Sequence, residues 1–337
     1  MDTNALRNLV FEGGGVKGIA YGGALQRLDE MKVLDHIVRV AGTSAGAINA
    51  TLLAVGCSSQ ETSEIIQTTH FSSFEDGKPG VISAAIRFFC DTGYGLYKGK
   101  TFESWMRTQI EKKTGDGDIT FAKLARLASE SGGTKRRDLY VVASNLTADQ
   151  PQIFSAETTP DMTVAHAVRM SMSIPFFFRY VKGDDGHVMV DGGVIYNYPI
   201  DLFDRKKYLS NPANGDAKPD IVTKDANSDV CVNHETLGFR LGDAKTREEA
   251  EKPQPQKIDS LYDYALALID YMRQNAQKLH LQPYDWNRTV YIDSSPAKVT
   301  EFNLSQKQIA QLIANGDAGV KSYFDWALGP GGPQLPV

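Results

Sequence analysis

The chain has 337 residues, of which 42% are hydrophobic and 23% charged, an ordinary globular composition with enough apolar residues for one large core. A formal net charge of −5 argues against a nucleic-acid binder, which needs a basic face to neutralise phosphates; the tight basic clusters Lys135-Arg136-Arg137 and Arg205-Lys206-Lys207 read as solvated loop ends. Three cysteines, Cys57, Cys90 and Cys231, are too few and too scattered for a disulfide framework or a zinc site, and Cys57 and Cys90 read as buried small hydrophobes.

The N-terminus runs into a strand-like segment without a charged leader or an apolar signal core, and no window holds 18 consecutive apolar residues. The expectation is a soluble, cytoplasmic protein able to act peripherally at a membrane surface.

Taken in order, Leu9-Val10-Phe11 predicts a short buried strand followed by a glycine-dense turn. Residues 18–30 carry apolar positions at helical spacing. Gly22 and Gly23 inside that helix cost stability, which implies close packing against backbone. A second strand is predicted at 37–41. After it, AGAINATLLAVG is apolar nearly all round and predicts a helix buried in the centre of the domain. This βαβα beginning implies an α/β fold. Helices are predicted near 59–70, 101–113, 121–130 and 163–172, a turn at 75–80, and strands at 138–145, 152–155 and 187–190. Beyond these come a loop at 209–219, strand-rich sequence at 230–241, and a charged exposed segment at 243–258. A long helix at 261–281, a strand at 289–292 and a helix capped by Ser305 at 306–328 complete the chain. One domain over 1–328 with a flexible tail at 329–337 is the simplest reading.

The motifs lie in the two first turns. Gly42-Thr43-Ser44-Ala45-Gly46 fits G-x-S-x-G between a strand and a helix, the pattern of a nucleophile elbow. The alternative is a serine that caps a helix without chemistry. Gly13-Gly14-Gly15-Val16-Lys17-Gly18 fits G-x-G-x-x-G. A dinucleotide site, however, wants an acidic residue ending the second strand, where Ala41-Gly42 stand. A Walker phosphate loop wants a Lys-Ser or Lys-Thr pair, and Lys17 precedes Gly18. Acyl chemistry at Ser44 needs backbone donors for an oxyanion, and a glycine-rich turn on the neighbouring strand is suited to supply them. For a base there are six histidines, His36, His70, His166, His187, His234 and His280, none framed by glycines. Asp191 ends an apolar strand and is followed by Gly192 and Gly193. Asp-Gly is also a common turn signal and recurs at Asp76, Asp116 and Asp185.

These pieces in this order resemble the motif set of the patatin-like phospholipases: Gly13 to Gly18, Gly42 to Gly46, and Asp191-Gly192-Gly193. Ser171-Met172-Ser173-Ile174-Pro175 is similar to the family's segment upstream of the aspartate. The resemblance covers residues 8 to about 200 and extends to the C-terminal third in general pattern only. It implies a three-layer α/β/α fold with a mostly parallel sheet and a serine–aspartate dyad without histidine, metal or cofactor. Ser44 would be the nucleophile and Asp191 the base, with the oxyanion held by the loop Gly13, Gly14, Gly15 and Val16 through the N–H groups of the last three. Lys17 would steady the loop or attract a phosphate headgroup, with Gly18, Gly42, Gly46, Gly192 and Gly193 shaping the turns. Gly193 stands where many members carry alanine. The implied substrate is a phospholipid or another lipid ester. The rival readings are a catalytically silent lipid-binding or regulatory module and a Ser-His-Asp carboxylesterase.

Two aromatic stretches, Phe176-Phe177-Phe178 and Phe88-Phe89 with Tyr94, Leu96 and Tyr97, are candidate walls of an acyl-binding mouth, with core packing as the alternative. Alternate residues of a strand face opposite sides, so three consecutive phenylalanines cannot all enter one core. Segment 81–99 is a candidate interfacial element, and 209–219 or 243–258 a candidate place for an activator.

Overall fold

The computed structural model describes residues 3–76, 94–132, 135–183, 185–218, 229–242, 281–295 and 301–330, with 258–259, 264, 267–268, 271–272, 297 and 299. Segment 81–93, with Phe88, Phe89 and Cys90, lies outside them, as do 243–257 and most of the helix expected at 261–281.

Apolar runs bounded by turn residues form the strands β1 (Asn8–Phe11), β2 (Arg39–Thr43), β4 (Asp138–Asn145), β8 (Val188–Asp191), β11 (Thr236–Gly242) and β12 (Thr289–Asp293). Shorter strands are β3 (Gly95–Tyr97), β5 (Gln150–Phe154), β6 (Phe176–Phe178), β7 (Val181–Lys182), β9 (Gly215–Asp216) and β10 (Val232–Asn233). One eight-stranded sheet links β12-β11-β1-β2-β4-β8-β7, with β5 also against β4. From β12 to β4 the pairing is parallel; β5, β7 and β8 join antiparallel. β3 and β6 form a separate parallel pair.

The helices are α1 (Tyr21–Glu30), α2 (Ala45–Ala54), α3 (Ser59–Thr68), α4 (Lys100–Thr114), α5 (Phe121–Glu130), α6 (Val164–Ser171) and α7 (Gln306–Ala327). Their ends follow local chemistry. Ser58 and Ser305 make capping boxes with Glu61 and Gln308. Thr120 caps α5, and left-handed Gly115 closes α4.

The sheet separates two sets of side chains. Leu9, Phe11, Val40, Leu139 and Val141 enter the large core with residues of α1, α2, α6 and α7. Val10, Ala41 and Tyr140 enter a second core with Tyr198, Ile200, Phe203 and Tyr208, against which Leu281 packs. This period-two division is what a parallel sheet covered on both faces requires, and the architecture is three-layer α/β/α. The glycines of α1 have the close contacts their cost implied: a Cβ on Gly23 would stand 1.9 Å from Ile313 O of α7, and one on Gly316 would stand 1.9 Å from Ala20 O.

Three boundaries differ from the sequence reading for physical reasons. The helix expected from Gly18 begins earlier, as a 3-10 turn at Gly15–Ala20, and only then becomes α1. The second strand ends at Thr43 rather than Ala41, because Gly42 and Thr43 continue its register against Val141 and Val142. The loop expected at 209–219 holds a 3-10 turn at Pro212–Asn214 and β9, tied down where the Glu235 carboxylate accepts from Ser210, Asn211 and Asn214.

Candidate active site

Because β2 runs to Thr43, Ser44 stands directly between strand and helix. It adopts φ 53° and ψ −121°, a left-handed backbone that costs a β-carbon-bearing residue roughly 1–3 kcal/mol. Its carbonyl accepts from the N–H groups of Ala47 and Ile48, starting α2, whose ten residues are all buried. The turn is tight enough to demand glycine on both sides. A Cβ on Gly42 would lie 2.3 Å from Gly46 C, and one on Gly46 would lie 2.3 Å from Phe11 O.

Asp191 reaches this elbow from the opposite direction. Val142 pairs with Thr43 of β2 and with Ile153 of β5, so those two strands lie on opposite edges of β4. Ala143, the next residue, pairs with Gln152 of β5 and Asp191 of β8. β2 and β8 therefore share one edge of β4, run towards each other, and end opposite adjacent residues. The Ser44 turn and the Asp191 turn meet head to head. Gly192 fits there because it lacks a side chain: a Cβ would be 2.3 Å from Val142 O and 2.8 Å from Thr43 Cγ2. Asp191 is buried, its Oδ1 accepts from Gly193 N–H at 2.8 Å, and its N–H is donated to Ser173 O at 2.9 Å. Thr43 Oγ1 donates to Tyr196 O at 3.1 Å, a further tie between the two turns.

The glycine-rich loop is the third component. A Cβ on Gly13 would lie 3.2 Å from Ser44 Cβ, which puts this loop beside the serine. Gly18 passes over the start of α2, where its Cβ would be 2.8 Å from that of Ala45. Gly13 N–H is donated to Asn197 O and Val16 N–H to Val299 O, each at 3.1 Å. Among the described residues, the N–H groups of Gly14 and Gly15 are donated to no other group. Lys17 N–H closes the turn onto Gly14 O at 3.2 Å. Gly15 has φ +55°, and a Cβ there would be 2.0 Å from Val299 O.

Residues that the sequence motifs do not single out hold this loop. Glu12 is buried; its carboxylate accepts from Asn197 Nδ2 at 3.1 Å and from Leu241 N–H at 2.6 Å. Asn197 Nδ2 also donates to Gly13 O, so the segment after Asp191 grips the loop beside Ser44. An acid just before a glycine run and an asparagine just after the Asp191 turn are the signals that could have found them.

The histidines are engaged elsewhere in part. His166 contacts Glu103 at 3.1 Å, His187 contacts Asp185 and Asn145 at 3.1 Å, and His234 contacts Asp216 at 2.8 Å. His280 lies outside the described residues. The other Asp-Gly aspartates are structural: Asp76 accepts from the N–H groups of Gly99, Lys100 and Thr101 at the start of α4, Asp116 from Asp118 N–H, and Asp185 from His187 N–H. Phe177 and Phe178 both belong to the large core, against Tyr97, and the partly buried Phe176 packs against the same core, so all three phenylalanines meet one core, contrary to the expectation from strand alternation. Phe176, at φ +65°, departs from the extended backbone on which that alternation rests. Among the described residues, no group of three or more His, Cys, Asp or Glu is arranged to hold a metal ion, and no helix is long and apolar enough to cross a membrane.

Fold and site together define a class: three-layer α/β proteins that present a serine on a strand–helix elbow. Comparison with known proteins gives the family. The family described as Patatin-like phospholipase matches residues 9–204, more than half the chain, and the chain belongs to it, among lipid ester hydrolases. Protein YqhO of Bacillus subtilis (strain 168) is 30% identical over 318 residues, covering 91% of this chain and 94% of its own. Probable lipid hydrolase 463L of Invertebrate iridescent virus 6 is 29% identical over 198 residues, 58% of this chain and 62% of that protein. Of solved structures, VipD from Legionella pneumophila superposes with a TM-score of 0.54 at 18% identity, covering 95% of this chain and 67% of that one. A chain of the ExoU–SpcU complex from Pseudomonas aeruginosa gives 0.51 at 21% identity, with 95% of this chain matched to 51% of that one. At such identities the structures speak for the fold alone, and this chain spans about half the length of the latter.

Proposed function

We propose that the protein is a lipid acyl hydrolase of the phospholipase A type, cleaving fatty acyl esters of phospholipids or related lipids at a membrane surface. Ser44 is the nucleophile, Asp191 the base, and the N–H groups of Gly14 and Gly15 the oxyanion donors. The observation that carries this reading is the convergence of β2 and β8 on Val142 and Ala143, which brings the two turns together. The Gly14 and Gly15 amides support it, whereas those of Gly13 and Val16 are already donated to carbonyls. The donor set inferred from the motif is narrowed accordingly.

The steps follow from these groups. Ser44 Oγ attacks the ester carbonyl carbon while its proton passes to the Asp191 carboxylate. The carbonyl oxygen becomes an oxyanion beside Gly14 and Gly15. Collapse breaks the ester bond; the departing lysolipid alcohol takes the proton from Asp191 and leaves an acyl group on Ser44. Water then loses a proton to Asp191 and attacks the acyl carbon; the Ser44–acyl bond breaks, Ser44 Oγ takes that proton back from Asp191, and the fatty acid is released.

A carboxylate with its usual pKa near ~4 is a weak base for an alcohol. Asp191 is buried, and its Oδ1 is fixed by Gly193 N–H at 2.8 Å. Preorganised amides stabilise the charge that develops, each donor being worth roughly 10²–10³ in turnover. The test is exposure of the purified protein to a fluorophosphonate, with mass spectrometry of the adduct, beside acyl release from a mixed panel of lipid vesicles. The reading expects an adduct on Ser44 and fatty-acid release, and a Ser44→Ala variant with neither. Fatty-acid release that survives Ser44→Ala removes Ser44 as the nucleophile.

A further inference from the structure

The segment Ser171-Met172-Ser173, at the end of α6 and leading towards β6, touches both turns. Ser171 is fully buried. Its Oγ accepts from Ser44 N–H at 2.8 Å and donates to Val142 O at 2.6 Å. With the hydroxyl proton committed to Val142, the lone pair is what faces Ser44. Two residues on, Ser173 O accepts Asp191 N–H at 2.9 Å. Ser173 Oγ in turn accepts from Arg169 Nη1 at 2.5 Å, and Arg169 Nη2 holds Lys98 O and Arg179 O at 2.7 and 2.9 Å. One short stretch, anchored by a buried guanidinium, thus holds the main chain of the serine and of the aspartate.

Resting on the reading of Ser44 and Asp191 above, we propose that Ser171 is a positioning residue: its hydroxyl fixes the Ser44 peptide plane and so aims Ser44 Oγ at Asp191. The left-handed backbone of Ser44 makes this hold necessary. Its N–H is turned out of the β2–β4 ladder and is not part of the α2 hydrogen-bond pattern; Ser171 Oγ is its acceptor. Without that acceptor the buried N–H relaxes towards another partner, the peptide rotates, and the nucleophile moves with it. Misplacement by about 1 Å costs on the order of 100-fold in rate. Ser171 is fully buried and bonded to Val142 O and Ser44 N–H, so its loss is expected to act on the rate rather than on substrate affinity.

The experiment compares wild type, Ser171→Ala, Ser171→Cys and Leu124→Ala. Cysteine preserves the packing but is a weak acceptor. Leu124, in the core on α5, provides a variant that loses stability away from the site. Each is measured for melting temperature, kcat and KM on a lipid ester, and the rate of fluorophosphonate labelling at Ser44. The expected result is labelled wild type, with kcat and labelling rate of Ser171→Ala lower by about 10- to 100-fold and KM within about twofold. Ser171→Cys falls in the same direction, and carries the test alone if the alanine variant does not fold. Labelling and kcat at wild-type rates in either variant overturn the proposal. So does a loss no greater than that of Leu124→Ala at a matched fall in melting temperature. Wild type that does not label at Ser44 is a separate outcome: it overturns the assignment of the nucleophile, and the positioning role with it.

Discussion

Asp191→Asn is the substitution that separates chemistry from structure most cleanly at this site. Asparagine has the shape of aspartate, and its amide oxygen can take over the acceptor role of Oδ1 towards Gly193 N–H, now 2.8 Å long. The main-chain bond to Ser173 O does not involve the side chain. The fold is therefore expected to survive with a melting temperature close to that of the wild type. On the proposed mechanism the loss is of the base. General-base assistance contributes roughly 10²–10⁴ in rate, and at 1.36 kcal/mol per decade that is about 2.7–5.4 kcal/mol of barrier. In the proposed mechanism Asp191 serves in acylation and again in deacylation, so both half-reactions should slow and no single step can compensate. Hydrolysis should fall towards the upper end of that range, becoming undetectable for a slow enzyme. The assay is fatty-acid release from phospholipid vesicles, with thermal unfolding of the same preparation as the control. A folded Asp191→Asn protein turning over within tenfold of wild type refutes the dyad, and loss of turnover in His234→Ala or His280→Ala would then give the base to an imidazole.

Glycine replacements should divide by what their Cβ meets: Gly46→Ala meets Phe11 O at 2.3 Å and should lower the melting temperature by overpacking worth at least about 1–3 kcal/mol. Gly14→Ala, at φ −161° outside the left-handed region, has its one tight contact at 2.5 Å with the flexible tip of Leu241, so its melting temperature should fall less than that of Gly46→Ala. The Asp204 carboxylate would be raised by burial, but Arg288, at 2.6 and 2.8 Å, and Lys218 hold it below the usual range. A depressed folded value gives stability above the ordinary carboxylate range that is lost as pH falls through the depressed one. The denaturant midpoint of wild type should thus drop below about pH 4, whereas Asp204→Asn should flatten that acid limb and cost about 3–5 kcal/mol at pH 7 by leaving Arg288 short of a partner. Burial pushes the Cys57 thiol up to about 11, so native protein at pH 8 should leave Cys57 unalkylated by iodoacetamide until it is denatured.

How far the sequence can be read depends on the range of the interaction. β4 is legible to its bounds, 138–145, because a run of apolar residues between charged and turn residues is a local signal. The burial of α2 on every side is equally local, written in AGAINATLLA. The end of β2 lies two residues beyond the sequence reading because only the partners Val141 and Val142 keep Gly42 and Thr43 in the strand. The sharing of one β4 edge by β2 and β8 is out of reach, since it is a register between segments far apart in the chain, one ending at Thr43 and the other at Asp191. The same holds for Asp76, whose Asp-Gly spelling reads as a turn although its carboxylate caps a helix beginning at Lys100. At the site, glycine spacing marks where the chain must bend. It does not say which amides of the bend are already engaged, and Val299 and Asn197 decide that for Val16 and Gly13.

Those partners also give the C-terminal third its place in the site. The family match ends at residue 204, before β11 and β12. Yet β11 pairs with β1 along the whole length of β1, and its end supplies the Leu241 N–H that fixes Glu12. Val299 accepts the Val16 N–H and lies against Gly15. α7 crosses α1 at Gly23 and Gly316, close enough that neither helix could carry a side chain there. The wall behind the glycine-rich loop therefore comes from sequence outside the motifs, while its front faces Ser44. An oxyanion site works by holding its dipoles still before charge develops. For the oxyanion role proposed for this loop, its amides can be preorganised only if both sides of the loop are held, and the second side is built from β11, Val299 and α7.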